Sequence, residues 1–250
     1  MDFLSVLTSA GHIGFRGRIH ADRPRPSLLV VAGAFPRPDQ HQEIVDWFPE
    51  SNVLVARLPG MGVPSSDADA QRTTVGLEEA ARVLLGDRPL VICGVSAGAL
   101  VAIPLRGKNI HRKVILEPFL TTEGLWPFLN FSRKLLERSP DNQYLRRYLW
   151  TMFGFGPDVV ENRDYRDLVD AIDVPTDVVV GGMALQPERS LPEFPSLTSV
   201  EDRALLGAHP LVTMHEGPSG AGHDLWTAPE SSRMIRELLG AALQSSVALL

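Results

Sequence analysis

The sequence has little cysteine and no long apolar run. Among its 250 residues there is 1 cysteine, Cys93, so an intrachain disulfide is impossible. The N-terminus lacks the basic segment and the long apolar segment of a secretory signal peptide. No uninterrupted apolar stretch is long enough to cross a bilayer. These absences favour a protein without a membrane span that works in a reducing, cytoplasmic environment.

The sequence also lacks an excess of positive charge and the common zinc motifs. Its formal net charge of -6 at pH 7 gives no basic surface for nucleic acid. It contains neither a CxxC pair nor an HExxH motif, so nothing points to a structural or catalytic zinc ion. We therefore expect no metal, no cofactor and a small molecule as the partner, and a homodimer is compatible with the sequence.

Short apolar runs rich in β-branched residues alternate with stretches of helical periodicity. The runs are residues 27–33, 52–58, 89–95, 113–117, 176–182 and 210–215. This alternation predicts an α/β fold with a mostly parallel central sheet flanked by helices. Residues 12–20 alternate like an edge strand that pairs antiparallel at the start of the sheet, and residues 231–243 have the spacing of an amphipathic closing helix.

Residues 119–173 differ from the rest because they have helical spacing, no convincing strand and many aromatic side chains. We predict one core domain formed by residues 1–118 and 174–250, with residues 119–173 inserted as a helical cap. Its aromatic residues would suit an apolar or aromatic substrate, or they serve only to hold the insertion on the domain. They are Trp126, Phe128, Phe131, Tyr144, Tyr148, Trp150, Phe153 and Phe155, with Trp226 just beyond His223.

The same segment is basic, through Arg133, Lys134, Arg138, Arg146 and Arg147. Such a cluster attracts a carboxylate or phosphate on a substrate, or it forms only a solvated helix face. The sequence leaves both interpretations open.

Residues 94–98 read Gly-Val-Ser-Ala-Gly, a GxSxG motif. The preceding residues 89–93 have the pattern of a buried strand and residues 97–105 that of a helix packed on a sheet. This context predicts a nucleophile elbow, in which small neighbours let strand and helix approach closely around an exposed serine. Ser96 is therefore the candidate nucleophile and the Ala97 N–H a candidate oxyanion donor, whereas the alternative is an ordinary turn with an inert serine.

With this motif the sequence resembles the α/β-hydrolase superfamily over nearly its whole length. Residues 32–35, Ala-Gly-Ala-Phe, are similar to the family's His-Gly-x-x segment, with alanine in place of histidine, which implies Ala34 N–H as the second oxyanion donor. Residues 58–65 are similar to the family's glycine turn, although a plain turn explains them equally well. Residues 220–224, Gly-Ala-Gly-His-Asp, resemble the catalytic histidine loop and imply His223 as the general base.

The third member of the triad is missing from its usual place. The family pattern after the strand at 176–182 implies an acid where this chain has Ala184. Some members of the superfamily carry the acid at the end of the preceding strand instead, where this chain has Glu117. Glu117 is the first candidate and Glu188 the second, and a dyad without an acid is the remaining possibility.

These residues imply a serine hydrolase that cleaves a carboxylic ester or thioester of a small, apolar or aromatic substrate through an acyl-serine intermediate. The alternatives are a non-catalytic protein of the same fold that binds a ligand or partner, or a cofactor-free C–C hydrolase or lyase. Ala184 and Ala32 support the non-catalytic alternative, because both stand where the family carries a functional side chain.

Overall fold

The computed structural model describes residues 2–20, 25–35, 42–58, 69–186 and 195–247. Within these ranges the chain alternates strands with helices. The strands are β1 (Asp2–Thr8), β2 (Gly11–Arg18), β3 (Ser27–Val31), β4 (Asn52–Arg57), β5 (Leu90–Val95), β6 (Ile110–Leu116), β7 (Thr176–Val180) and β8 (Val212–Glu216). The helices are α1 (Gln42–Trp47), α2 (Ala70–Leu85), α3 (Ala99–Ala102), α4 (Trp126–Arg138), α5 (Gln143–Phe153), α6 (Val200–Gly207) and α7 (Pro229–Val247).

The strands form one 8-stranded sheet in the order β1-β2-β4-β3-β5-β6-β7-β8. β2 pairs antiparallel with β1 and β4, whereas β4, β3, β5, β6, β7 and β8 run parallel. All carboxyl ends of the parallel strands therefore lie at one edge. The predicted α/β fold with a mostly parallel sheet is confirmed.

Both faces of the sheet are covered, and each parallel strand divides its side chains between them. On β3, Leu29 and Val31 pack with α2 and α3, while Leu28 and Val30 pack with α1 and α7. All five residues of β3 are buried, which explains why the parallel strands read as continuous apolar runs rather than as alternating ones. The helices on the two faces exclude water from the backbone at the centre of the sheet.

The sequence patterns located the strands well and the helices less precisely. The strand predicted at 12–20 is β2, and it has the expected antiparallel pairing. The prediction that it lies at the edge is wrong, because β1, which was not predicted, pairs with its other side. The helix expected at 97–105 is shorter: residues 96–98 form a 3₁₀ turn and α3 ends at Ala102. Pro104 accounts for the early end, because proline lacks an N–H and its ring clashes with the carbonyl four residues earlier.

Between β6 and β7 the chain forms α4, α5 and a 3₁₀ segment at Arg166–Ala171. The isolated bridge Thr121–Asp164 joins the two ends of this insertion. Its assignment as a cap over the site stays a prediction. None of the helices in the described ranges is long and apolar enough to cross a membrane.

Gly94 and Gly240 provide a matched test of this packing. An added Cβ at Gly94 would lie 2.5 Å from Ala102 Cβ and 3.1 Å from Ala99 Cα, so β5 and α3 would have to separate. We predict that Gly94→Ala lowers the free energy of unfolding by about 1–3 kcal/mol. Gly240→Ala in α7 should instead be neutral or raise it by about 0.5–1 kcal/mol, because its Cβ meets only Phe48 Cε1 at 3.7 Å. Urea denaturation measures both, and equal effects would contradict the packing argument.

Candidate active site

The sequence-predicted residues gather at the carboxyl edge of three adjacent strands. The segment 33–35 follows β3, Ser96 follows β5 and Glu117 follows β6, and β5 lies between the other two. Among the described residues, the non-glycine residues with positive φ are Phe35 at 53°, Ser96 at 52° and Glu117 at 52°. This backbone conformation is unfavourable for residues with a side chain, and such strain concentrates at functional sites.

Ser96 stands on a tight turn that small residues make possible. An added Cβ at Gly98 would lie 2.6 Å from Ala32 O, and one at Gly33 would lie 3.1 Å from Ser96 Cβ and 3.7 Å from Ser96 Oγ. The exit of β3 therefore passes directly beside the serine. Nearby Cys93 is no rival nucleophile, because complete burial raises the pKa of its thiol to about 12.

Glu117 is buried, with an exposed fraction of 1%, and its carboxylate is surrounded by donors. Oε1 accepts hydrogen bonds from Gly181 N–H at 2.5 Å and Ser196 O–H at 2.8 Å. Oε2 accepts from Leu197 N–H at 2.9 Å. These bonds fix the carboxylate rigidly at the end of β6, because both oxygens are held from the loop that follows β7.

His223 completes the set of contacts on Glu117. Its Nδ1 lies 3.2 Å from Glu117 Oε2. Because a carboxylate only accepts hydrogen bonds, Nδ1 is the donor in this contact, and a neutral imidazole held in this way has its lone pair on Nε2, the tautomer that a general base requires. Ser96 Oγ has no hydrogen-bond partner among the described residues, and such contacts in ligand-free sites often form only when substrate binds.

The two candidate acids thus have different outcomes. Glu117, at the end of the strand before the insertion, contacts His223. Glu188 lies outside the described residues, and so does most of the glycine turn at 58–65. The loop containing Ala184 pairs with residues 196–198, since Ser196 N–H donates to Met183 O and Leu185 N–H to Thr198 O. The sequence reasoning missed the Glu117 donors Gly181, Ser196 and Leu197, because no motif marks a backbone N–H or a lone serine.

A series of contacting aromatic rings connects the segments that follow β3 and β6 with α4 and α5. Phe35 stacks on Phe128 at 5.9 Å between centroids, Phe128 contacts Phe153 at 4.3 Å, and Phe153 stacks on Phe119 at 5.4 Å. Tyr148 joins the series at Phe35 and Phe153. We call these five residues the aromatic roof. Phe35 follows β3 and Phe119 follows β6, and these two strands flank β5, which ends just before Ser96.

Other residues singled out in the sequence lie elsewhere. Trp226 packs on Trp47 at 6.1 Å, on the opposite face of the sheet from α2. The basic residues singled out on α4 and α5 are all exposed, as the interpretation of a solvated helix face expects: Arg133, Lys134, Arg138, Arg146 and Arg147. No group of metal-ligating side chains occurs in the described ranges. A cavity of about 630 Å³ lies at the amino ends of β5 and β6, at the opposite end of the sheet from Ser96.

Comparison with known proteins supports the fold. A family model described as the alpha/beta hydrolase family matches residues 18–248. A search of curated proteins found no match. Among solved structures, a thermophilic esterase from Thermogutta terrifontis has a TM-score of 0.60 at 19% identity, covering 98% of this chain and 99% of its own. An enol-lactonase from Burkholderia xenovorans LB400 has a TM-score of 0.66 at 15% identity, with 96% and 100% covered. The N-formylmaleamic acid deformylase of Pseudomonas putida S16 has a TM-score of 0.60 at 16% identity, with 93% and 99% covered.

The positive φ of Ser96 generates a stability prediction. Glycine adopts this conformation without the steric penalty that a Cβ incurs, so Ser96→Gly should be more stable than Ser96→Ala by about 1 kcal/mol. The same pair of substitutions at Ser132, in the middle of α4, should give the opposite order because glycine disfavours helix there. Chemical denaturation of the four variants checks this prediction. If Ser96→Ala is more stable than Ser96→Gly, the backbone at Ser96 is not strained.

Proposed function

The chain belongs to the alpha/beta hydrolase family, and on that premise we propose that it is a serine hydrolase that cleaves a carboxylic ester or thioester through an acyl-serine intermediate. The observation that carries the proposal is the 3.2 Å contact between His223 Nδ1 and Glu117 Oε2, at the end of the strand adjacent to the one that leads to Ser96. In this proposal Glu117 is the acid, His223 the base and Ser96 the nucleophile, which are the three roles of a catalytic triad.

In the acylation step, Ser96 Oγ attacks the carbonyl carbon of the substrate while His223 Nε2 takes the hydroxyl proton. The Glu117 carboxylate keeps the proton of Nδ1 in place and stabilises the imidazolium that forms. His223 then returns its proton to the departing alcohol or thiol. Water reverses the sequence in the second half of the reaction, releasing the carboxylic acid and restoring Ser96.

The negative charge that develops on the carbonyl oxygen needs donors that are already oriented. We assign this role to the backbone N–H groups of Ala97 and Ala34. Ala97 directly follows Ser96 and is fully buried, and Ala34 directly follows Gly33, which lies against the serine. Backbone donors require no particular side chain, so Ala32 in place of the family's histidine leaves this part of the mechanism intact.

The aromatic roof supports a small apolar or aromatic acyl group as the substrate class. Its rings belong to the same hydrophobic cluster as Ala97, the residue after Ser96, and such an apolar environment favours burial of hydrocarbon over solvated groups. The esterase, enol-lactonase and deformylase named above have similar folds and are consistent with hydrolysis at a carbonyl centre.

Hydrolysis of p-nitrophenyl esters of increasing chain length tests the proposal. Wild type should turn over, and Ser96→Ala should lose about 10⁶-fold in kcat because it removes the nucleophile. A fluorophosphonate probe should label the wild type and not Ser96→Ala. If no ester is cleaved and no probe reacts, the protein is instead a non-catalytic binder of the same fold.

The role of Glu117 has its own prediction. Glu117→Gln should reduce kcat by about 10³- to 10⁴-fold, because the amide no longer holds His223 in the productive tautomer. Glu123→Gln is the matched control, since Glu123 is exposed and lies in the same segment after β6. Circular dichroism checks that both variants fold. Full activity in a folded Glu117→Gln variant would remove Glu117 from the mechanism.

A further inference from the structure

Tyr148 places a polar atom inside the aromatic roof. Its side chain is 2% exposed, and its ring centroid lies 6.0 Å from that of Phe35 and 5.8 Å from that of Phe153. Its hydroxyl is buried and has no hydrogen-bond partner among the described residues. Because burial raises the pKa of Tyr148, the hydroxyl keeps its proton at neutral pH and is available as a donor.

The two other tyrosines of the chain are satisfied in different ways. Tyr165 donates its hydroxyl hydrogen to Met152 O at 2.8 Å, and Tyr144 is 44% exposed and can reach water. Buried polar groups without partners are rare and costly in folded proteins. A phenylalanine at position 148 would fill nearly the same space without that cost, so the Tyr148 hydroxyl does not serve the folding of the roof.

Ser132 on α4 is a second buried hydroxyl without a partner in the described part of the chain. It follows Phe128 of the roof by about one helical turn and is 1% exposed. A helical serine commonly bonds to the carbonyl one turn earlier, and Ser132 does not. The helix pair α4 and α5 therefore carries two unsatisfied hydroxyls on its buried side.

We propose that Tyr148 is a specificity-determining residue whose hydroxyl donates a hydrogen bond to a neutral oxygen, such as a keto oxygen, in the acyl part of the substrate. This inference deepens the proposed function and rests on it. The Tyr148 ring contacts Phe35, which directly follows the proposed oxyanion donor Ala34, and the proposal places the acyl group of the substrate on this side of Ser96. The basic side chains of α4 and α5 are exposed, so these helices provide no buried cation to pair with an acidic group of the substrate. We therefore expect the acceptor to be a neutral oxygen.

The experiment compares p-nitrophenyl hexanoate with its 4-oxo and 5-oxo analogues. Wild type should prefer at least one oxo ester to hexanoate. Tyr148→Phe should lower the ratio of kcat/KM for that oxo ester to kcat/KM for hexanoate by about tenfold, while hexanoate hydrolysis stays within twofold. Tyr148→Phe should be at least as stable to urea as wild type, whereas Tyr165→Phe should be less stable. Tyr144→Phe, one turn away on α5, should leave both the ratio and the stability unchanged.

Binding measurements separate this proposal from the proposed function. Calorimetry with Ser96→Ala gives Kd for the intact esters. Adding Tyr148→Phe to that variant should raise the Kd of the preferred oxo ester by about tenfold and that of hexanoate by less than twofold. If wild type cleaves no ester but this difference appears, the catalytic proposal fails and the Tyr148 assignment holds. The Tyr148 assignment is wrong if the esters are cleaved and Tyr148→Phe leaves the kcat/KM ratio of each oxo ester to hexanoate unchanged. It is also wrong if only Ser132→Ala lowers that ratio.

Discussion

The burial of one carboxylate, Glu117, organises the carboxyl edge of the sheet. An isolated charge removed from water is strongly unfavourable, so this side chain requires donors on every side. Gly181, Ser196 and Leu197 supply three, and His223 supplies the fourth. Because these residues come from the exit of β7, the segment before α6 and the loop after β8, a single side chain ties three separate parts of the chain to the end of β6.

Arg203 strengthens this arrangement from the outside. Its guanidinium donates to Gly181 O at 2.6 Å and to Thr198 O at 3.3 Å, so it cross-links the two segments whose N–H and hydroxyl groups hold Glu117. Thr198 in turn donates its hydroxyl hydrogen to Pro118 O, next to Glu117 in the chain. The carboxylate is therefore held in place by a network, and its orientation toward His223 does not depend on any single bond.

The parts of this site that carry a sequence signature were predictable, and those that depend on backbone geometry were not. Ser96 and His223 were identified because glycines on both sides of the serine and before the histidine mark tight turns. Glu117 was the first candidate because the resemblance implies that some members of the superfamily carry the acid at the end of this strand, and Ala184 stands at the usual position. Ser196 and Leu197 could not be found from the sequence, because their contribution depends on where a long loop folds back. The strands were located accurately since buried parallel strands read as apolar runs, whereas the early end of α3 depended on Pro104, a signal present in the sequence but not used.

The position of the acid and the glycine at position 181 are physically coupled. With a carboxylate buried at the end of β6, the start of the loop after β7 presents an N–H to it, which Gly181 does. An added Cβ at Gly181 would lie 2.5 Å from both Ala221 O and Gly222 O, in the loop that carries His223. A larger residue there would displace the histidine from the carboxylate that orients it. An acid restored at position 184 would leave Glu117 buried beside it, and two carboxylates competing for one imidazole would repel each other. An uncharged residue at position 184, such as this alanine, is therefore what the proposed acid on β6 favours.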